Sequence, residues 1–262
     1  MSHFVKGDLG GFKFSLICSN TPSIIITLLS TLSAIINLVP FNLFYIWSSN
    51  SYNYLSVNMV RIKICGITNI KDALLSVELG ATALGFVFYK GSKRYIKPDN
   101  AQSIISKLPP FVTTVGVFAN QELDEINKIK EKAGFDIVQL HGDESPDFCM
   151  KVKGKAIKAI RVKENIDPKE VESYPTQAIL FDNYSTEAYG GTGETFGWVI
   201  LKGFDTSKKI ILSGGLTPEN VARAIRIVNP YAVDVSTGVE ENPGKKNPDK
   251  LKRFIKAVKN EN

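Results

Sequence analysis

The sequence predicts an α/β protein, a (β/α)8 barrel over residues 59–262, preceded by an apolar N-terminal extension over residues 1–58. Three observations predict it. Eight short apolar stretches alternate with helix-like stretches after Met59, which is the pattern of parallel strands joined by crossover helices. The segment after Met59 has the length of one such barrel, about 200–250 residues. The unusual polar residues cluster where the apolar stretches end, and in these barrels the chemistry sits at the C-terminal ends of the strands.

Each unit has its own signals. Strand one covers residues 60–65; helix one follows with Thr68 or Asn69 as N-cap and Gly80 at its end. Strand two, 83–88, leads into a basic loop over 89–95, and Pro98 opens helix two in its first turn. Strand three covers 111–118, and Gly134 closes a charged helix over 121–132. Strand four, 136–140, ends in His141-Gly142-Asp143-Glu144. Strand five, 156–162, precedes a short helical stretch around 168–173. Strand six, 178–181, ends in Asp182, and a glycine-rich loop occupies 183–197. Strand seven, 209–212, ends in Ser213-Gly214-Gly215; Thr217-Pro218 then reads as an N-cap with proline at N1. Strand eight, 232–235, ends in Ser236-Thr237-Gly238, and an amphipathic helix fills 248–259.

The extension differs in composition. No charged residue occurs from Phe14 to Val60, and residues 22–47 are long enough to span a bilayer, which takes roughly 20 apolar residues. No small-residue cleavage site follows the run, so it is a poor match to a secretory signal. Because Met59 stands directly before a clean first strand, the extension reads either as over-extended leader outside the fold or as a membrane anchor or targeting segment. A membrane is a partner only in the second case.

Composition removes several function classes. The net charge of +6 comes from lysines scattered over helix surfaces, which speaks for a solvated face and against a nucleic-acid groove. Three cysteines without paired spacing point to a reducing, cytoplasmic compartment. Two histidines and no ligand-like spacing of carboxylates leave no metal centre to expect.

The strand ends then supply candidate chemistry. Cys65 closes strand one, and strand periodicity puts Lys63 on the same face, where its charge is expected to lower the thiol pKa. A thiolate there serves as base or nucleophile; a buried cysteine elsewhere is simply a small hydrophobe. Asp182 closes strand six before a glycine-rich loop, as a turn residue or as a general acid. The turns Gly214-Gly215 and Ser236-Thr237-Gly238 follow strands seven and eight, where barrels commonly bind phosphate, and Gly191 and Gly193 offer a loop to close over it. Arg94 suits bidentate pairing with a substrate carboxylate or is a surface charge. His141 and Asp234 are further rim residues, and His141 reads equally as a structural histidine or a substrate contact.

These residues occur in motifs that resemble one family. Lys63-Ile64-Cys65-Gly66-Ile67-Thr68, Gly85-Phe86-Val87-Phe88-Tyr89, Val138-Gln139-Leu140-His141-Gly142, Leu180-Phe181-Asp182 with Gly190-Gly191-Thr192-Gly193, Ser213 to Val221, and Asp234 to Glu240 are similar to phosphoribosylanthranilate isomerase, in family order from Met59 onward. The resemblance implies a cofactor-free Amadori rearrangement of N-(5-phosphoribosyl)anthranilate in tryptophan biosynthesis. It implies Asp182 as general acid, Cys65 as general base, Arg94 on the anthranilate carboxylate, and the last two strand-end turns on the phosphate. Departures fall in loops: Glu194 and Gly197 stand where the family usually has lysine and aspartate, and Gly91 or Lys93 where it has proline. A metal-dependent epimerase, indole-glycerol-phosphate synthase and a non-catalytic phosphate-binding barrel are the alternatives. Monomer and homodimer both remain open.

Overall fold

A computed structural model describes residues 3–9, 12–18, 59–162, 166–183 and 197–262. The chain divides into two units, Met1–Tyr54 and Leu55–Asn262. In the first, β1 (His3–Leu9) pairs antiparallel with β2 (Phe12–Cys18), Leu9 opposite Phe12. Only Gly10-Gly11 separates the two, a dipeptide suited to a two-residue hairpin connection. Residues 22–47 lie outside the described residues, and among the described residues no helix is long and apolar enough to cross a membrane.

The second unit is the closed parallel barrel that the sequence predicts. Its strands are β3 (Arg61–Cys65), β4 (Ala83–Val87), β5 (Thr113–Phe118), β6 (Ile137–Leu140), β7 (Ala156–Val162), β8 (Ala178–Asn183), β9 (Lys209–Leu212) and β10 (Ala232–Val235). They pair in chain order, and β10 returns to pair with β3. Among the described residues seven helices follow the strands: α1 (Ile70–Leu79), α2 (Pro98–Ile105), α3 (Leu123–Ala133), α4 (Pro146–Lys151), α5 (Pro168–Ser173), α6 (Val221–Val228) and α7 (Pro248–Lys259). A 3-10 turn, Trp198–Leu201, stands between β8 and β9. A short antiparallel hairpin, β11 (Glu240–Asn242) and β12 (Lys245–Lys246), stands between β10 and α7.

Alternation along each strand sorts side chains into two layers. Ile62, Ile64, Leu84, Phe86, Ile179, Phe181, Val233 and Val235 join the large core beneath the helices. Ile157, Ala159, Ala178, Leu180, Ile211 and Ala232 fill the barrel interior. Cys65, Val87 and Val117 cap that interior near the mouth. The same parity puts Lys63, Gln139, Asp182 and Asp234 on the inward face, and this is how an ordinary strand pattern delivers polar groups to the mouth.

Local signals decide most boundaries. Asn69 caps α1 by accepting from Asp72 N at 2.9 Å, and Gly80 ends it in the left-handed region. Two expectations change. β5 begins at Thr113, because Pro109-Pro110 cannot donate to a ladder and Phe111 is exposed. α6 begins at Val221 with Asn220 as N-cap, so Thr217-Pro218 forms a preceding turn. Asn220 holds that turn: its Oδ1 accepts from Thr217 N at 2.8 Å and its Nδ2 donates to Gly215 O at 2.9 Å.

Candidate active site

The C-terminal mouth of the barrel opens into a cleft. Its wall includes Cys65, Arg94, His141, Asp182, Gly214, Gly215, Asp234, Ser236, Thr237 and Gly238, every described candidate from the sequence. Gly191 and Gly193 lie outside the described residues.

One corner is built where the last strand meets the first. Asp234 of β10 is the register partner of Lys63 of β3, and Lys63 Nζ sits 2.8 Å from Asp234 Oδ2 with both residues buried. Cys65 stands one pleat above Lys63, opposite Gly85; a Cβ on that glycine would lie 2.7 Å from the sulfur. The sequence-based expectation of a lowered thiol pKa is overturned. Burial pushes the Cys65 thiol above its ordinary value of 9.0, Lys63 pulls it down, and Asp234 pushes it up again. Desolvation is the largest influence, and with Asp234 it outweighs the downward pull of Lys63 and Lys246. Asp234 Oδ1 and Ser236 Oγ are buried and have no hydrogen-bond partner among the described residues.

The opposite corner is built from β6 and β8. Asp182 ends the inward face of β8; its Oδ1 accepts from Asn183 N at 2.8 Å, and its Oδ2 lies 3.1 Å from His141 Nε2. Gln139 Nε2, a donor only, lies 2.8 Å from His141 Nδ1. Nδ1 therefore accepts, and Nε2 carries the proton that is donated to Asp182. Glu144 pins the loop after His141 by accepting from Asn120 N at 2.8 Å, Gly142 N at 3.0 Å and Lys158 Nζ at 2.8 Å.

Arg94, in the loop after β4, is half-buried and engaged with Glu240 through Nε and Nη2. The expected free bidentate fork is thus partly spent inside the protein. Glu240 also accepts from Lys246 Nζ at 2.8 Å. Burial raises its carboxyl pKa, but Arg94 and Lys246 outweigh that and hold it below the usual carboxylate value.

The two turns after β9 and β10 press together at the third side of the cleft. A Cβ on Gly238 would fall 1.9 Å from Leu216 O, and one on Gly214 2.6 Å from Asn183 N, so neither position has room for a side chain. Among the described residues the backbone N–H groups of Gly214 and Gly215 donate to no other backbone group in the turns and loops. Together with backbone in the left-handed region at Gly214 and Gly215, this gives a concave donor surface suited to a phosphate.

Sequence reasoning missed Lys158 and Lys246 as parts of the site, met Gln139 and Glu240 only inside motifs, and met Glu144 only at the end of strand four. Lys246 follows another lysine in Gly244-Lys245-Lys246 and carries no local sign of burial. Gln139 was detectable, since it shares strand parity with His141.

A parallel eight-stranded barrel with an acid, a thiol, an arginine and a phosphate-type donor surface around one cleft defines a barrel enzyme of the phosphosugar-isomerase class. The sequence model of the N-(5'-phosphoribosyl)anthranilate (PRA) isomerase family matches residues 62–257. The N-(5'-phosphoribosyl)anthranilate isomerase of Pelobacter propionicus is 51% identical over 201 residues, covering 77% of this chain and 96% of that protein. The enzyme of the same name from Geobacter metallireducens is 50% identical, covering 77% of this chain and all of its own. The crystal structure of phosphoribosyl anthranilate isomerase from Thermotoga maritima superposes with a TM-score of 0.73 at 48% identity, covering 77% of this chain and 100% of that one. A phosphoribosyl anthranilate isomerase in complex with reduced 1-(o-carboxyphenylamino)-1-deoxyribulose 5-phosphate superposes at 0.70 with 46% identity, covering 77% and 100% of the two chains. The chain belongs to the N-(5'-phosphoribosyl)anthranilate isomerase family. Its reaction is the Amadori rearrangement of N-(5'-phosphoribosyl)anthranilate to 1-(2-carboxyphenylamino)-1-deoxyribulose 5-phosphate, a step of tryptophan biosynthesis.

Proposed function

We propose that Asp182 is the general acid of this rearrangement and Cys65 the general base. The observation that carries the assignment is their placement on the inward ends of β8 and β3, facing one cleft with candidate anion holders beside each. Asp182 gives its proton to the ribose ring oxygen as the C1–O bond breaks and the anilino nitrogen's lone pair forms the Schiff base. The resulting carboxylate is met by His141 Nε2–H and Asn183 N–H, the donors already in place. Cys65, as thiolate, takes the C2 proton; the C2–H electrons form the enolamine and neutralise the iminium nitrogen. Tautomerisation gives the ketone. No step calls for a metal or organic cofactor.

The remaining candidates hold the substrate. Arg94 takes the anthranilate carboxylate with the part of its guanidinium left by Glu240. Asp234 Oδ1, an inward acceptor with no partner among the described residues, receives a substrate N–H or O–H. Gly214, Gly215, Ser236, Thr237 and Gly238 receive the phosphate. Residues 59–262 form the catalytic unit, acting in the cytoplasm on a small phosphosugar–anthranilate, and residues 1–58 are dispensable for turnover.

The test is turnover of freshly generated phosphoribosylanthranilate, followed by loss of anthranilate fluorescence, by the full chain and by the 59–262 fragment. Equal rates support the division of the chain. A folded fragment that binds product and does not turn over would assign the extension a part in the site.

A further inference from the structure

Arg94 is held by Glu240, which, like the Lys246 behind it, does not line the cleft. Its Nε donates to Glu240 Oε1 at 2.9 Å and Oε2 at 3.1 Å, and its Nη2 donates to Oε2 at 2.7 Å and to Thr237 Oγ1 at 3.1 Å. One edge of the guanidinium is thereby closed against β11, and no bond from Nη1 is found among the described residues. The stem is gripped as well: a Cβ on Gly66 would lie 2.6 Å from Arg94 Cδ. Behind Glu240 stands Lys246, 2% exposed, whose Nζ donates to Glu240 Oε1 at 2.8 Å, to Cys65 O at 2.5 Å and to Ser236 O at 3.4 Å. A buried ion pair seldom gains stability over packed apolar side chains of the same volume. Two charges buried behind a cleft they do not touch point to geometry.

We propose that Glu240 and Lys246 are positioning residues for Arg94, fixing which edge of its guanidinium faces the cleft and so where the substrate's ring carboxylate is held relative to Cys65. Lys246 ties this arrangement to the backbone of Cys65 itself, so the carboxylate site and the thiol share one support. The three charges sum to +1, since two cations face one carboxylate. Arg94 therefore keeps its attraction for an anion while losing its freedom to turn.

The inference rests on the reading of Arg94 as carboxylate holder, and one set of measurements separates the two. Full-length protein is titrated calorimetrically with reduced 1-(o-carboxyphenylamino)-1-deoxyribulose 5-phosphate and with the same compound lacking the ring carboxylate. The ratio of the two dissociation constants is the affinity due to the carboxylate. Arg94→Met should erase it. Glu240→Gln/Lys246→Met removes one charge of each sign and leaves the sum at +1, so any loss reports orientation. That pair should cut the ratio about tenfold, the worth of a charge-assisted hydrogen bond, while the compound without the carboxylate binds as before. A ratio unchanged in the pair but lost in Arg94→Met overturns the positioning role and leaves the reading of Arg94 standing. A ratio unchanged in both overturns the reading and the inference together. If the pair does not fold, Glu240→Gln alone decides. It raises the local charge to +2, which by Coulomb attraction alone would enlarge the ratio, so a fall supports the positioning role and a rise overturns it.

Discussion

The β3–β10 corner of the mouth and the β6–β8 corner hold their reactive groups in opposite ways. Around Cys65 stand ions: Lys63 paired with Asp234, and Glu240 paired with both Lys246 and Arg94. Around Asp182 the direct partners are a backbone N–H and an imidazole, itself supported by an uncharged amide. Charges fix a group's surroundings regardless of the moment in the cycle, whereas hydrogen-bond donors tolerate a carboxyl that changes its protonation in place. The difference suits the roles proposed here, a thiol that is costly to ionise at depth and an acid that would give up its proton and regain it.

The largest effect expected from breaking this contrast is at the acid. Asp182→Asn keeps the shape and removes the transferable proton, so kcat should fall by about 10²–10⁴, with the reduced product analogue still bound. Near-normal single-turnover rates would remove Asp182 from the role. Cys65→Ser should fall almost as far, because a hydroxyl is a much weaker base than a thiolate.

The pH profile sharpens the comparison at the thiol. With Cys65 as the proposed base the active form is the deprotonated one, and burial holds its pKa above 9.0. Log kcat/KM should therefore climb with pH through neutrality and on past 9; a plateau at pH 7 would show that another group is the base. Lys63→Met breaks the ionic corner itself by leaving Asp234 buried and unpaired. The cost should be about 3–5 kcal/mol, seen as a Tm lower by roughly 6–20 °C, with the alkaline limb displaced further upward. A melting temperature within a degree of the parent would mean that water compensates Asp234.

The smallest effect serves as a reference outside both corners. Asp167 accepts from Lys169 N at 2.9 Å to cap α5, and Asp167→Ala should cost about 1 kcal/mol in a denaturant titration without changing turnover. Changed turnover would mean that the rim senses the helix layer more widely than the two corners imply.

The reactive groups were legible because strand parity is a local property. Apolar neighbours two residues apart, such as Ala178 and Leu180, place Asp182 inward before any contact is known, and Lys63 with Cys65 follows the same rule. The ionic corner was not legible, because its pairs join residues 171 and 146 apart in sequence, Lys63 with Asp234 and Arg94 with Glu240. The direction of the thiol shift failed because burial, its largest cause, outweighs the pull of Lys63, with Asp234 adding a second upward push from a distant strand. The start of α6 failed for a smaller one, since Thr217-Pro218 and Asn220 are both sound opening signals and only the bonds of Asn220 back to Thr217 and Gly215 choose between them.

Closure of β10 onto β3 also sets an order of events during synthesis. Cys65 leaves the ribosome early, yet its neighbours Asp234 and Lys246 are encoded 169 and 181 residues later, so no nascent intermediate possesses the ionic corner. The reactive thiol is thus without its surroundings until translation is nearly over. A message truncated between codons 182 and 234 yields a chain that carries both the thiol and the acid but never the ionic corner.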